Sequence, residues 1–268
     1  MEIVVLLIFG AIGGLISGLL GVGGGIIFVP VLTSVLAHYG VGDPELAKYI
    51  LANSFAATFF AGAISSYKQY RLKSFFPKEI LLTASAAIPA SIIVSHLITQ
   101  GTWYDKKSFS IFFIVLLILM LIKFITSKKV NTEENPSVPG YKHSLSGAFA
   151  GIVSALSGLG GGVIMIPMFT QYVKLPINKA ASISIGVIPV MMIPMIVFYG
   201  IQSQATNQVA TLQIGYLLPT IVLPLVAGLF FAAPLGVTFS KKTHPTKLKI
   251  IFALLIVTVI IKTILNLV

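Results

Sequence analysis

Along the chain, long apolar runs alternate with short polar or basic segments. A helix needs about 20 mostly apolar residues to cross a bilayer, with roughly 17 to 25 tolerated. Residues 3–20, 49–66, 80–99, 109–126, 180–200, 212–239 and 250–268 meet or approach that length, and residues 145–159 fall a little short. Two further runs, 26–37 and 163–173, are too short to cross alone, and each follows a glycine cluster. The pattern predicts an all-α polytopic membrane protein with two interrupted segments in matching places.

Setting residues 10–30 over residues 147–167 gives 11 identities in 21 positions without a gap. Gly21, Gly23, Gly24, Gly25 and Pro30 fall in register with Gly158, Gly160, Gly161, Gly162 and Pro167. Apolar composition alone does not produce that register. The chain therefore reads as a duplicated unit, with a first repeat at 1–126, a polar linker at 127–143 and a second repeat at 144–268. Each repeat is expected to be a glycine-tipped helical hairpin plus three spanning helices.

Composition agrees, since 56% of the 268 residues are hydrophobic and 9% charged, against about one quarter charged in an ordinary soluble domain. A water-soluble globular protein is excluded. The net charge of +11, from 18 basic and seven acidic residues, is a record of topology rather than a nucleic-acid surface, because the basic residues lie between the apolar runs. With those loops held on the cytoplasmic side, only Lys48, Lys106, Lys107 and Lys262 of the 18 basic residues fall outside, together with the uncharged loop 201–211. The stretch from His143 to Lys174 must then return to the side it left, which makes its glycine cluster the tip of a hairpin or re-entrant loop. The first hairpin enters from outside and the second from the cytoplasm, so the two repeats are expected to be inverted, with the N-terminus outside. The N-terminal run lacks the basic region of a signal peptide and is read as part of the mature protein.

Inverted repeats with interrupted helices in matching positions point to a secondary-transporter site at the interruptions. A helix begun inside the membrane leaves its first N–H groups unpaired and carries partial positive charge there. An anion satisfies both. Glycine suits such a tip because it accepts positive φ and keeps no side chain between ligand and backbone. The candidate substrate-binding residues are therefore Gly21, Gly23, Gly24, Gly25, Gly158, Gly160, Gly161 and Gly162. Gly10, Gly14 and Gly18, and Gly147 with Gly151, recur every four residues and are expected to serve helix packing only. Asn53, Ser54, Thr58, Ser182 and Ser184, the polar side chains in the runs after the two hairpins, are the second class of candidates, because hydroxyls and amides bind anion oxygens, with a bond to a helix carbonyl or a neighbouring helix as the alternative for each. Asn53, Ser54 and Ser184 are expected to assist the glycine tips in binding substrate.

Other chemistries find little support. No carboxylate lies near the middle of a run, which argues against an intramembrane proton relay. His96 is the one titratable residue inside a run, and His38, His143 and His244 are placed in loops without metal-site spacing. The absence of cysteine removes disulfides and thiolate ligands. Neither a nucleophile motif with a mid-span histidine nor a dinucleotide fingerprint is present. No enzyme, cofactor, metal or nucleic-acid partner is expected. Prolines 89, 189, 194, 219, 224 and 234 are expected to kink several spans.

The motif Gly21-Val-Gly-Gly-Gly-Ile-Ile-Phe-Val-Pro30, repeated as Gly158-Leu-Gly-Gly-Gly-Val-Ile-Met-Ile-Pro167, resembles the TauE/SafE sulfite exporter family over essentially the whole chain. The resemblance implies transport of a small sulfur-containing anion such as sulfite, thiosulfate or a sulfonate. It also implies hydroxyl or amide side chains shortly after each hairpin, where this chain has Asn53-Ser54 and Ser184. The sequence thus predicts an integral membrane transporter of the cell membrane, working by alternating access with a small anion and the lipid bilayer as partners. An anion channel and a non-transporting membrane scaffold are the alternatives.

Overall fold

The computed structural model describes residues 2–43, 45–126, 139–202, 212–243 and 245–265. The described residues form helices throughout, with one isolated bridge between Ile214 and Leu217 in place of a sheet. In the first half the helices are α1 (Glu2–Leu20), α2 (Gly25–His38), α3 (Leu46–Arg71), α4 (Pro77–Gln100) and α5 (Lys106–Thr126). In the second they are α6 (Gly140–Ser157), α7 (Gly162–Pro167), α8 (Ile177–Gly200), α9 (Pro219–Lys242) and α10 (Pro245–Leu265). Past Pro167, α7 widens into a π-helical turn, Met168–Tyr172.

Local chemistry sets several of these boundaries. Proline occupies the first position of both α4 and α9, where its missing N–H costs nothing. Asp105 caps α5 by accepting the Ser108 N–H at 2.8 Å. That bond holds the Asp105 carboxyl below its usual range. Both glycine clusters are hairpin tips, as expected. At the open end of the first hairpin, the Tyr39 hydroxyl donates to Glu2 at 2.9 Å and His38 lies 3.4 Å from the same carboxylate. The hydrogen bond to Glu2 pushes the Tyr39 phenol up. At the open end of the second, His143 packs on Phe169 and Lys142 sits over the Tyr172 ring.

Among the described residues, five helices are long and apolar enough to cross a membrane, namely α1, α3, α4, α8 and, within α9, Pro219–Ser240. Of these α3 is the most buried, with α8 next, whereas α1, α4 and α9 turn large apolar side chains such as Ile3, Leu81 and Phe231 outward. That is the arrangement of a bundle whose outer layer faces hydrocarbon, since exposed apolar area of this extent does not suit water.

The halves exchange helices. Along α1, a Cβ on Gly10 would run into the Leu225 carbonyl, one on Gly14 would lie 2.8 Å from Leu229 Cα, and one on Gly18 would reach 2.6 Å from Val237 N, all on α9. Gly228 and Gly236 answer from α9 against the Leu7 and Leu15 carbonyls. The same relation joins α6 to α4, where Gly147 and Gly151 rest on the Thr83 and Ala87 carbonyls. The four-residue glycine spacing therefore does what it was expected to do, bringing backbones together without an intervening side chain.

Three expectations need correction. The run 212–239 is not one span, because residues 212–218 are non-helical and α9 starts at Pro219. The cause is a side chain from the other half, described below. Next, α6 begins at Gly140, so residues 140–143 of the expected linker are its first turn, and residues 127–138 lie outside the described residues. His143 is accordingly not in a loop but buried on α6, and His38 ends α2, while His244 lies outside the described residues. Lys48, Lys68 and Arg71 likewise belong to the ends of α3 rather than to loops.

Candidate functional site

Helix α1 ends where the Gly21 N–H reaches back to the Ser17 carbonyl at 2.9 Å and Gly21 turns to φ +74°. In the second half the Gly158 N–H bonds the Ser154 carbonyl at 2.8 Å, again with φ +74°. Gly23 and Gly24 follow at +86° and +74°, and Gly160 and Gly161 at +76° and +74°. The left-handed region costs an L-residue roughly 1–2 kcal/mol per position. The identity detected in register along the sequence is thus an identity of backbone course.

The two tips press directly on each other. A Cβ on Gly25 would lie 2.7 Å from Leu159 Cα and 2.9 Å from the Gly158 oxygen. A Cβ on Gly162 would lie 2.7 Å from the Gly21 oxygen and 2.8 Å from Val22 Cα. The contact is reciprocal, and so are the bonds that clamp it. Ser54 on α3 donates to the Gly158 carbonyl at 2.7 Å, and Ser184 on α8 donates to the Gly21 carbonyl at 2.9 Å. Each half therefore fastens the tip of the other.

Beyond the tips stand unpaired donors. Among the described residues, the N–H groups of Gly23, Gly24, Gly25 and Ile26, and of Gly160, Gly161, Gly162 and Val163, have no hydrogen-bond partner. All eight residues are buried. Thr58 lies where the tips converge, since a Cβ on Gly23 would be 3.0 Å from its methyl and one on Gly160 would collide with it. Its hydroxyl is fully buried and unpartnered. Across from it is Ile188 of α8, which the same two glycines also approach. Apart from Lys48 and His143, the buried polar side chains among the described residues carry no titratable charge outside tyrosine. Unpaired backbone groups are costly in such an interior, so the tips form a neutral, donor-rich place suited to an anion.

Asn53 acts elsewhere. Its amide donates to the Tyr49 carbonyl at 2.8 Å and the Tyr216 carbonyl at 3.0 Å, and its oxygen accepts the Leu218 N–H at 2.7 Å. These bonds give residues 216–218 the partners that a helix would otherwise supply, which is why the run 212–239 breaks before Pro219. Asn53→Ala would leave the Leu218 N–H and the Tyr216 carbonyl buried and unpaired at about 1–3 kcal/mol each. The expected result is a clear drop in thermal stability in detergent, on the order of 2–6 kcal/mol for the two groups together. An Asn53→Ala protein as stable as wild type would contradict this role.

Two hydroxyls went unnoticed in the sequence. Ser17 and Ser154, each four residues before the first tip glycine, are buried with unpartnered Oγ atoms. They occupy identical positions of the aligned halves, and that register was the available signal. Ser182 is buried on α8, while His96 is exposed on α4 in a T-shaped contact with Phe198.

Comparison with known proteins agrees with this architecture. Residues 6–263 match the model of the family described as sulfite exporter TauE/SafE. A probable membrane transporter protein of Methanocaldococcus jannaschii is 28% identical over 250 residues, covering 92% of this chain and 90% of the relative. A probable membrane transporter protein of Haemophilus influenzae is 25% identical over 259 residues, covering 97% of each. One of Bacillus subtilis is 24% identical over 278 residues, covering 96% of this chain and 95% of the relative. With its apolar helices, this is an integral multi-pass membrane protein of a transporter family, and the chain belongs to the sulfite exporter TauE/SafE family.

Proposed function

We propose that this protein is a secondary transporter of a small sulfur-containing anion, moved by alternating access between two halves of opposite orientation. The observation that carries this reading is the meeting of two glycine tips whose N–H groups lack partners beside the unpartnered Thr58 hydroxyl. Oriented amides and a hydroxyl bind an oxyanion without a fixed positive charge, as helix N-termini do elsewhere. Ser54 and Ser184 hold the two tips in register, and the amides of residues 23–26 and 160–163 face the substrate. Positive-inside orientation puts the N-terminus outside and the lysine-rich segments in the cytoplasm.

Purified protein in proteoliposomes, loaded in turn with sulfite, thiosulfate and methanesulfonate, tests the reading. Saturable flux of at least one of them is expected, with exchange accelerating it. Failure of all three to move overturns the proposal, and flux that neither saturates nor exchanges identifies a channel. A thermal-shift series with the same anions gives an independent measure, since a ligand that binds only the folded state at 100 times its Kd stabilises by about 2.7 kcal/mol.

A further inference from the structure

Along α3, Thr58, Gly62, Ser65 and Gln69 are spaced four, three and four residues apart, which places them on one helical face. That face looks at α8. A Cβ on Gly62 would lie 2.8 Å from Ile188 Cγ2 and 3.0 Å from Pro189 Cδ, and the neighbouring Ser66 donates to the Ile185 carbonyl at 2.9 Å. Thr58 and Ser65 are fully buried and Gln69 is 6% exposed. Thr58 Oγ1, Ser65 Oγ and Gln69 Oε1 all lack a hydrogen-bond partner. Buried polar atoms in folded proteins are nearly always paired, and three unpaired ones in register on one face of a spanning helix are not the content of a packing seam.

The other end of α3 is different. There Asn53 makes three hydrogen bonds, the Tyr49 hydroxyl accepts from Gln213 at 2.8 Å, and the Lys48 ammonium donates to the Thr99 carbonyl at 3.4 Å. On one side of the tips these polar groups of α3 are paired, and on the other Thr58, Ser65 and Gln69 are not, although Ser66 beside them is.

We propose that the α3–α8 seam from Thr58 to Gln69 is the route joining the glycine tips to the end of α3 that carries Lys68 and Arg71, closed in this structure by the contact of Gly62 with Ile188 and Pro189. The proposal rests on the transporter reading above. Eleven residues of helix span about 16 Å, close to half of a hydrocarbon core roughly 30 Å thick. The route therefore covers the distance from mid-membrane to one surface. Along it the hydroxyls of Thr58 and Ser65 donate in turn to the anion, and the Gln69 carbonyl accepts from the water that accompanies it. Opening is built into α8. Pro189 has no N–H for the Ile185 carbonyl four residues back, and Ser66 supplies that bond instead. The helix can bend there without giving up any backbone bond of its own, and the one bond strained as it draws away from Gly62 is that from Ser66 to the Ile185 carbonyl.

The chain contains no cysteine, so single cysteines report without background. Ser65→Cys, Gln69→Cys and, as a control on a different face of α3, the fully buried Ala57→Cys are reconstituted in one orientation. A membrane-impermeant methanethiosulfonate reagent is then added to either side, and anion flux is followed in the same vesicles. Ser65→Cys and Gln69→Cys are expected to react from one side only, at least ~10-fold faster than Ala57→Cys, because even an open state populated at ~1–10% exposes a thiol that lines the route. Reaction at Ser65→Cys should also stop flux. Reaction as slow as the control, in vesicles that do transport, overturns the route. Fast one-sided reaction in vesicles without flux supports a water-accessible seam and overturns the transporter reading instead.

Discussion

Alanine in place of Gly25 or Gly162 is expected to be among the most damaging single-methyl changes in the protein. Neither residue has positive φ, so backbone strain is not the reason. The added Cβ at Gly25 would sit 2.7 Å from Leu159 Cα, and at Gly162 2.7 Å from the Gly21 oxygen. Both obstacles are backbone of the opposite tip and have no rotamer to escape into. Overpacking costs typically 1–3 kcal/mol and occasionally more, and here it also pulls Ser54 and Ser184 off their carbonyls, at roughly 1–3 kcal/mol for each group left unpaired. We expect each variant to lose about 3 kcal/mol or more and to melt well below wild type in detergent. The double variant should lose less than the sum, since tips parted once cannot be parted again. Gly42 is the internal control, having nothing within 4 Å of its hypothetical Cβ. Its alanine variant should stay within about 0.5 kcal/mol of wild type. Equal melting of Gly42→Ala and Gly162→Ala would show that the tips do not bear on one another.

Much of this contact was legible in one dimension, and the reason is specific. Three consecutive glycines in both halves, in register with a proline five residues on, have no origin in apolar composition, and the first two of each triplet mark the places where the backbone turns to φ between +74° and +86°. The packing role of Gly10, Gly14 and Gly18 was equally plain from spacing, but spacing names no partner. Nothing in α1 says that it packs on α9 of the other half rather than on its own neighbours. The break at residues 212–218 was illegible for a similar reason, because the run is apolar enough to span and only the amide of Asn53, more than 160 positions away, makes non-helical backbone acceptable there. Asn53 was expected at the anion site on the strength of its polarity, and the structure brings it instead to a backbone segment it holds fast. Hydrogen-bond satisfaction is a property of three-dimensional neighbours, so a sequence shows Ser54, Thr58 and Ser65 as alike. In the structure Ser54 is bonded and the other two are not.

Under the proposed function that difference separates structural from substrate-facing hydroxyls, and Thr58→Val is where it has the largest consequence. Removing a buried hydroxyl that has no partner relieves a desolvation cost, so the fold should be unchanged or gain about 1 kcal/mol. Removing a donor to an anion forfeits a hydrogen bond to a charged group, worth about 1.5–3 kcal/mol. At 1.4 kcal/mol per factor of ten, the apparent affinity for the transported anion should fall by roughly 10- to 100-fold. Ser54→Ala should show the opposite pattern of cause, losing about 1–3 kcal/mol of stability because the Gly158 carbonyl is left unpaired. Thermal melting and concentration-dependent flux, measured on both variants, distinguish the roles. If Thr58→Val transports with wild-type affinity, the hydroxyl at the convergence of the tips is not a ligand for the anion. If it melts as early as Ser54→Ala, Thr58 is a structural residue like its neighbour one turn away. A Thr58→Val protein that folds as well as wild type and binds its anion at least tenfold more weakly leaves only the substrate as the missing partner of that hydroxyl.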